Sequence, residues 1–190
     1  LEDSLDDTDA SGVDTASIKN YVDSCLASTL QEGIDYISLQ GGYYHLPDDY
    51  VLNIGFAVPV YHDYSKGDMM PTLDTISDEL EAYVDDNIDY CLDNFSVYQN
   101  MGIDIGKGSR SVSVSILDKV SASMNYPLKV SVGETTKTVD SYSASVESPL
   151  SDAYSYVRMY IDEQKKTPNS EPIGYLAQLA YENDFLVETV

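Results

Sequence analysis

The chain has no tryptophan, two cysteines, two histidines and ten basic residues in a total of 190. Each shortage excludes something. Ten Lys and Arg against 33 Asp and Glu leave a net charge of −23. Phosphate binding needs clustered cations to release counterions, so nucleic acid is not a partner. An anionic bilayer surface is excluded on the same ground. No apolar run approaches the roughly 20 residues that span a membrane, so a membrane could be reached only through an anchor that these residues do not contain. Two cysteines cannot build a four-cysteine zinc site. No serine stands in a Gly-x-Ser-x-Gly context, which removes the usual nucleophile elbow.

What is present is acid on an otherwise ordinary globular composition. Apolar residues make up 43% of the chain, enough for one domain that buries roughly 70% of its unfolded surface. The acid is dispersed, apart from a dense run from Glu2 to Asp14. A folded chain this anionic repels itself until salt shortens the Debye length. A hypersaline setting is therefore the expected environment. Residues 1–16 are acidic, small and polar and read as a tether, and residues 17–190 as a single domain.

Periodicity places the elements. Ile18, Tyr21, Val22, Cys25, Leu26, Leu30, Ile34 and Ile37 form one helical stripe, with Thr15 or Ser17 to open it and Gly41-Gly42 to end it. Alternation then predicts a hairpin of Tyr43–Leu46 and Val51–Val60 around Pro47-Asp48-Asp49, with Pro59 confined to an edge. Residues 66–71 read as loop. A second helix runs from Leu73 to Phe95, capped by Thr72. Three strands follow over 111–146, with one apolar and one serine-rich face, a turn at Gly133–Thr136 and a bulge near Asp140. Ser148-Pro149 opens a third helix and Pro172 a shorter fourth. Phe185-Leu186-Val187 reads as a last strand. The fold class expected is α+β: an antiparallel sheet with two long helices and two shorter C-terminal helices packed on one face.

Candidate chemistry is sparse. Asp7, Asp9 and Ser11 resemble the opening of a calcium loop, but the twelfth position is Ile18 rather than Glu, so at most weak Ca2+ binding is expected and no other cofactor. Gly102-Ile-Asp-Ile-Gly106-Lys-Gly108-Ser109 has the wrong spacing for a phosphate loop and precedes a strand, so it reads as a turn. His45 and His62 could share a metal with Asp63 if their strands paired, although surface histidines are the plainer reading. The many acid pairs carry no catalytic information by themselves. Cys25 and Cys91 lie in two helical patterns and are either a disulfide or two buried thiols. The disulfide is expected because other features suggest an extracytoplasmic chain. In such a chain Asn94-Phe95-Ser96 would be a glycosylation sequon.

The most distinctive segment is aromatic. Of 17 tyrosines, some edge helix stripes (Tyr21, Tyr83, Tyr154). Tyr43, Tyr44, His45, Tyr50, Tyr61, His62 and Tyr64, however, crowd one short stretch. A two-stranded ribbon cannot bury that many rings, so they are expected to form a contact patch for a protein or glycan.

Ile18-Lys-Asn-Tyr-Val-Asp-Ser-Cys25-Leu, Leu39-Gln-Gly-Gly-Tyr43, Leu80–Tyr83, Tyr90-Cys-Leu-Asp-Asn-Phe95, Asn125-Tyr-Pro-Leu128, Leu179-Ala180 and Glu182-Asn-Asp184 carry a resemblance. They are similar to a pattern in uncharacterised surface proteins of small-genome symbiotic archaea, of the nanohaloarchaeal kind. That resemblance implies an extracellular ectodomain, there preceded by a pilin-like anchor, and assigns no activity to any residue. The expectation is a non-enzymatic cell-surface domain for adhesion, cell–cell interaction or surface assembly. A hydrolase using Asp or Glu in a cleft is one alternative. A self-assembling subunit of a filament or virus-like particle is the other.

Overall fold

The computed structural model describes residues 15–53, 56–166 and 172–185. Helix α1 (Thr15–Leu39) buries Ile18, Val22, Cys25, Leu26, Leu30, Ile34 and Ile37, as the stripe predicts. Starting at Thr15, it takes the last two residues assigned to the tether. It ends where Gly41 and Gly42 take φ of +62° and +90° and the Gly42 N–H closes on the Ile37 carbonyl at 2.8 Å. Helix α2 (Leu73–Leu92) starts from Thr72, whose hydroxyl accepts the Thr75 N–H at 3.1 Å. It buries Ile76, Leu80, Val84, Ile88 and Leu92. The two helices run antiparallel, since Cys25 meets Cys91 while Gly33 meets Tyr83 and Gly42 meets Ile76. A Cβ at Gly33 would stand 2.8 Å from the Tyr83 ring, so the close approach requires glycine there.

The second helix stops short of Phe95. Asp93, Asn94 and Phe95 hold φ of 41°, 52° and 59°, a left-handed turn that leads into the short α3 (Ser96–Gln99). Left-handed backbone costs about 1–2 kcal/mol per non-glycine residue. The turn re-aims Phe95 inward, where it is 1% exposed and edge-on to Tyr21.

After four short strands between the two helices, the chain forms an antiparallel sheet of β5 (Asp104–Lys107), β6 (Ser111–Ile116), β7 (Val120–Val132) and β8 (Thr135–Val146), one face of which the helices cover. β7 is central. β8 pairs along its length on one side, while β6 and β5 share the other, against residues 120–125 and 128–131. Val120, Ala122, Met124, Tyr126, Leu128 and Val130 point at the helices and are buried. The phase slip near Asp140 is a bulge whose extra residue lies in β7: Tyr126 and Pro127 oppose Asp140 between the pairs Asn125–Ser141 and Leu128–Val139. A proline is tolerated there because the ladder is already interrupted. The segment expected as a turn at 102–109 instead supplies β5, and its Gly108 N–H donates to the Pro127 carbonyl at 2.8 Å.

The uncovered face is made of serines in register. Across β6, β7 and β8 the outward rows are Ser111–Asn125–Ser141, Ser113–Ser123–Ser143 and Ser115–Ser121–Ser145. A helix carboxylate caps a strand at each side of this sheet. The Ser143 N–H donates to Asp23 of α1 at 2.9 Å and the Val114 N–H to Glu81 of α2 at 2.8 Å.

Between α1 and α2 the expected hairpin is replaced by a shorter one. β1 (Tyr50–Asn53) pairs with β2 (Phe56–Pro59), so the segment read as one strand folds back on itself. Tyr43–Leu46 is not a strand, because the N–H groups of Tyr44 and His45 both donate to Glu79 of α2, at 2.9 and 2.7 Å, instead of to a ladder. The expected loop at 66–71 contains a short strand, β4 (Gly67–Asp68), which pairs back with β3 (His62–Asp63) just before it.

Helix α4 (Leu150–Lys166) begins as Pro149 accepts the Ala153 N–H, ends on Lys165 and Lys166, and has no fully buried residue. Leu150 and Tyr154 near its start pack against the core, and its C-terminal half leans on the β3–β4 bridge. Asp68 pairs with Lys165 at 2.8 Å and with Arg158. Helix α5 (Ile173–Glu182) buries only Leu179. Phe185 is not a strand residue; its N–H caps Ala180 and its ring stacks on Tyr156. Leu186 and Val187 fall outside the described residues.

Candidate binding surface

Five of the seven residues of the aromatic segment fall in two groups with different surroundings. Tyr44 and His45 join two tyrosines from the helices. Tyr44 sits 5.2 Å from Tyr83 and 5.8 Å from Tyr36, ring centre to ring centre, and 4.4 Å from His45. The Tyr44 hydroxyl donates to Asp86 and the His45 imidazole stands 3.4 Å from Glu79. Tyr36 was not singled out by the sequence. Its signal is the Gly33 that lets Tyr83 reach across the helix pair, a contact between two turns 50 residues apart.

Tyr61, His62 and Tyr64 form the second group, beside α4. With Pro59, Ile161 and Gln164 they line a cavity of about 220 Å³. Tyr61 is anchored: its hydroxyl donates to the Gly41 carbonyl at 2.6 Å, and burial, then the neighbouring Tyr43, pushes its pKa up to about 12. The His62 Nδ1 is buried without a hydrogen-bond partner among the described residues. Tyr64 is 63% exposed, its hydroxyl 3.4 Å from the Gln164 carbonyl. Tyr43 is half-buried and its pKa is raised, by burial and then by Glu79.

The ribbon between these groups is what stands out of the surface. Tyr50, Val51, Leu52 and Val58 are 43%, 55%, 76% and 44% exposed. They lie in a run from Tyr50 to His62 without one charged residue, in a chain of net charge −23. The sequence pattern missed this because it read the stretch as one half-buried strand.

Cys25 and Cys91 are bonded, with Cα atoms 5.5 Å apart. Asn94 is exposed in the left-handed turn that follows. His45 and His62 enter different groups, so the shared metal site is not assembled. Among the described residues no three His, Cys, Asp or Glu are placed to hold a metal. Asp7, Asp9 and Ser11 fall outside the described residues. One cavity of about 150 Å³ brings Asp118 and Asp152 together with Ser148 and Ser151, without a tyrosine. Among the described residues no helix is long and apolar enough to cross a membrane. No protein-family model matches the chain, and no curated protein or solved structure matches it.

Proposed function

We propose that this chain is a non-enzymatic ectodomain of a halophilic archaeal cell surface, serving adhesion, cell–cell interaction or surface assembly. The observation that carries the reading is the uncharged β1–β2 ribbon. Exposed apolar side chains on an otherwise acidic surface are where a protein or glycan partner gains most from excluding water. The disulfide supports an oxidising, extracytoplasmic setting, and the charge supports high salt.

The test is a pair of variants. V51S/L52S/Y64S removes mainly exposed apolar surface, with one marginal contact of Tyr64 to α4, and should lower the binding of fluorescently labelled domain to intact cells at little-changed melting temperature. Y61S removes an anchored ring and should lower stability as well. Equal cell binding by the first variant and the wild type would overturn the reading. For the halophilic part, the melting temperature should be higher in about 2 M KCl than in about 0.1 M; no increase would sink it. Self-assembly is a second reading, favoured by the two-stranded ribbon, whose outer edges pair with no other described strand.

A further inference from the structure

We infer that the serine face of the β6–β7–β8 sheet is a binding surface for an extended neutral polysaccharide. Eight serines and one asparagine fill its nine outward positions. They present short hydroxyls about 4.8 Å apart across the strands and about 6.7 Å apart along them. Each hydroxyl can donate and accept, as the hydroxyls of a sugar do. Ser121 and Ser145 already pair in this way at 2.9 Å.

Two further observations point to the ligand class. The first is charge. Between Asp104 and Val146 there are five basic and four acidic residues, so the chain's excess of acid lies outside the sheet, which is close to neutral. A neutral surface on a polyanion neither attracts cations nor repels a chain of neutral sugars. The second is shape. Ser111, Ser113, Ser123, Asn125 and Ser141, with Val112 and Met124, line a shallow depression of about 240 Å³, and no described element covers this side. A second copy of the domain is the poorer occupant. Three strands by three rows offer about 300 Å², against about 800 Å² per partner in a stable protein–protein interface. An oligosaccharide segment needs no more than that.

The inference deepens the adhesion reading by adding a second surface with a ligand class. It rests on that reading for its biological setting, and the two are separable by experiment. The probes are β-1,4-glucan and β-1,4-mannan, with alginate as the anionic comparator, in co-sedimentation and affinity electrophoresis. The wild type should be retained by a neutral polymer and not by alginate. S113K/S143K should lose at least tenfold of the bound fraction at unchanged melting temperature, with S123K as an independent single-site block. V51S/L52S/Y64S should keep polysaccharide binding even where it loses cell binding. Retention no greater on neutral polymers than on alginate would overturn the inference, as would binding undiminished in both lysine variants. A dimer in sedimentation that S113K/S143K abolishes would assign the face to a second copy and overturn it equally.

Discussion

The helix pair with its sheet and the outer arm of β3–β4 and α4–α5 are built from similar residue types but held in different ways. In the first, Leu26, Leu30, Leu80, Ile88, Val120 and Leu128 are all 0% exposed, and a disulfide joins the two helices. In the second, α4 has no fully buried residue: only Leu150 and Tyr154 near its start pack, partly exposed, against the core, and its far end is held by Asp68, Arg158 and Lys165 at the surface. An amphipathic sequence is thus not enough to make a core helix. α1 and α2 find an apolar sheet face to cover, whereas α4 meets a two-residue bridge and the ends of other elements.

This contrast can be broken at its strongest point first. Leu80→Ala leaves a cavity where both helices meet and should cost about 2–5 kcal/mol. Val157→Ala on α4, where the side chain is 39% exposed, should stay within about 0.5 kcal/mol. Urea denaturation of the two variants checks the difference, and equal losses would erase the distinction. Next, C25S/C91S opens a loop whose ends are 66 residues apart in sequence, with an expected loss of about 2–4 kcal/mol. By mass spectrometry the unreduced wild type should be two hydrogens lighter than the reduced chain.

Alkali should act on the well-packed part. Tyr61 is raised to about 12 by burial and then Tyr43, and Tyr142 and Tyr126 are raised chiefly by burial too. A raised folded-state value means that the neutral phenol is the form the fold holds. That stability is complete below about pH 10, the unfolded value, and declines as pH rises through 12. Tyr61 alone should contribute on the order of 2 kcal/mol to this loss. Thermal melts between pH 9 and 12 should show it, with a shallower decline in Y61F.

The smallest effect belongs to the arm. Lys165, then Arg158, hold the Asp68 carboxyl well below the usual carboxylate range. Its contribution is present above about pH 4 and lost as pH falls below that. D68N should speed hydrogen exchange in α4 while moving the global melting temperature by no more than about 2 °C. A large global shift would make the arm part of the core.

The sequence was most legible where apolar spacing and burial coincide. Ile18–Ile37 in α1, the Thr72 cap of α2 and the alternation from Val120 to Val132 could be read because a period repeats often enough to define a face. The bulge opposite Asp140 showed itself as a slip of one residue in that period. Three features were hidden for physical reasons. Tyr43–Leu46 alternates like a strand, yet its N–H groups are claimed by Glu79, 35 residues beyond Tyr44. The left-handed turn at Asp93–Phe95 overrides a helical pattern to bury one ring. The Tyr36–Tyr44–Tyr83 cluster depends on tertiary contacts that no local period encodes. The aromatic segment was recognised as unusual, but its division between the helix pair and α4 required coordinates.

The Cys25–Cys91 bond also sets a mechanical limit. The β1–β2 ribbon lies inside the covalent loop, whereas α4 and the whole β5–β8 sheet lie outside it. Pulled by its two ends, the chain could pay out only the residues outside that loop. The 66-residue interval between the cysteines would withhold roughly 230 Å of contour at about 3.5 Å per residue. A partner gripping the ribbon would hold a part of the molecule that such tension cannot extend, even after the sheet had come apart.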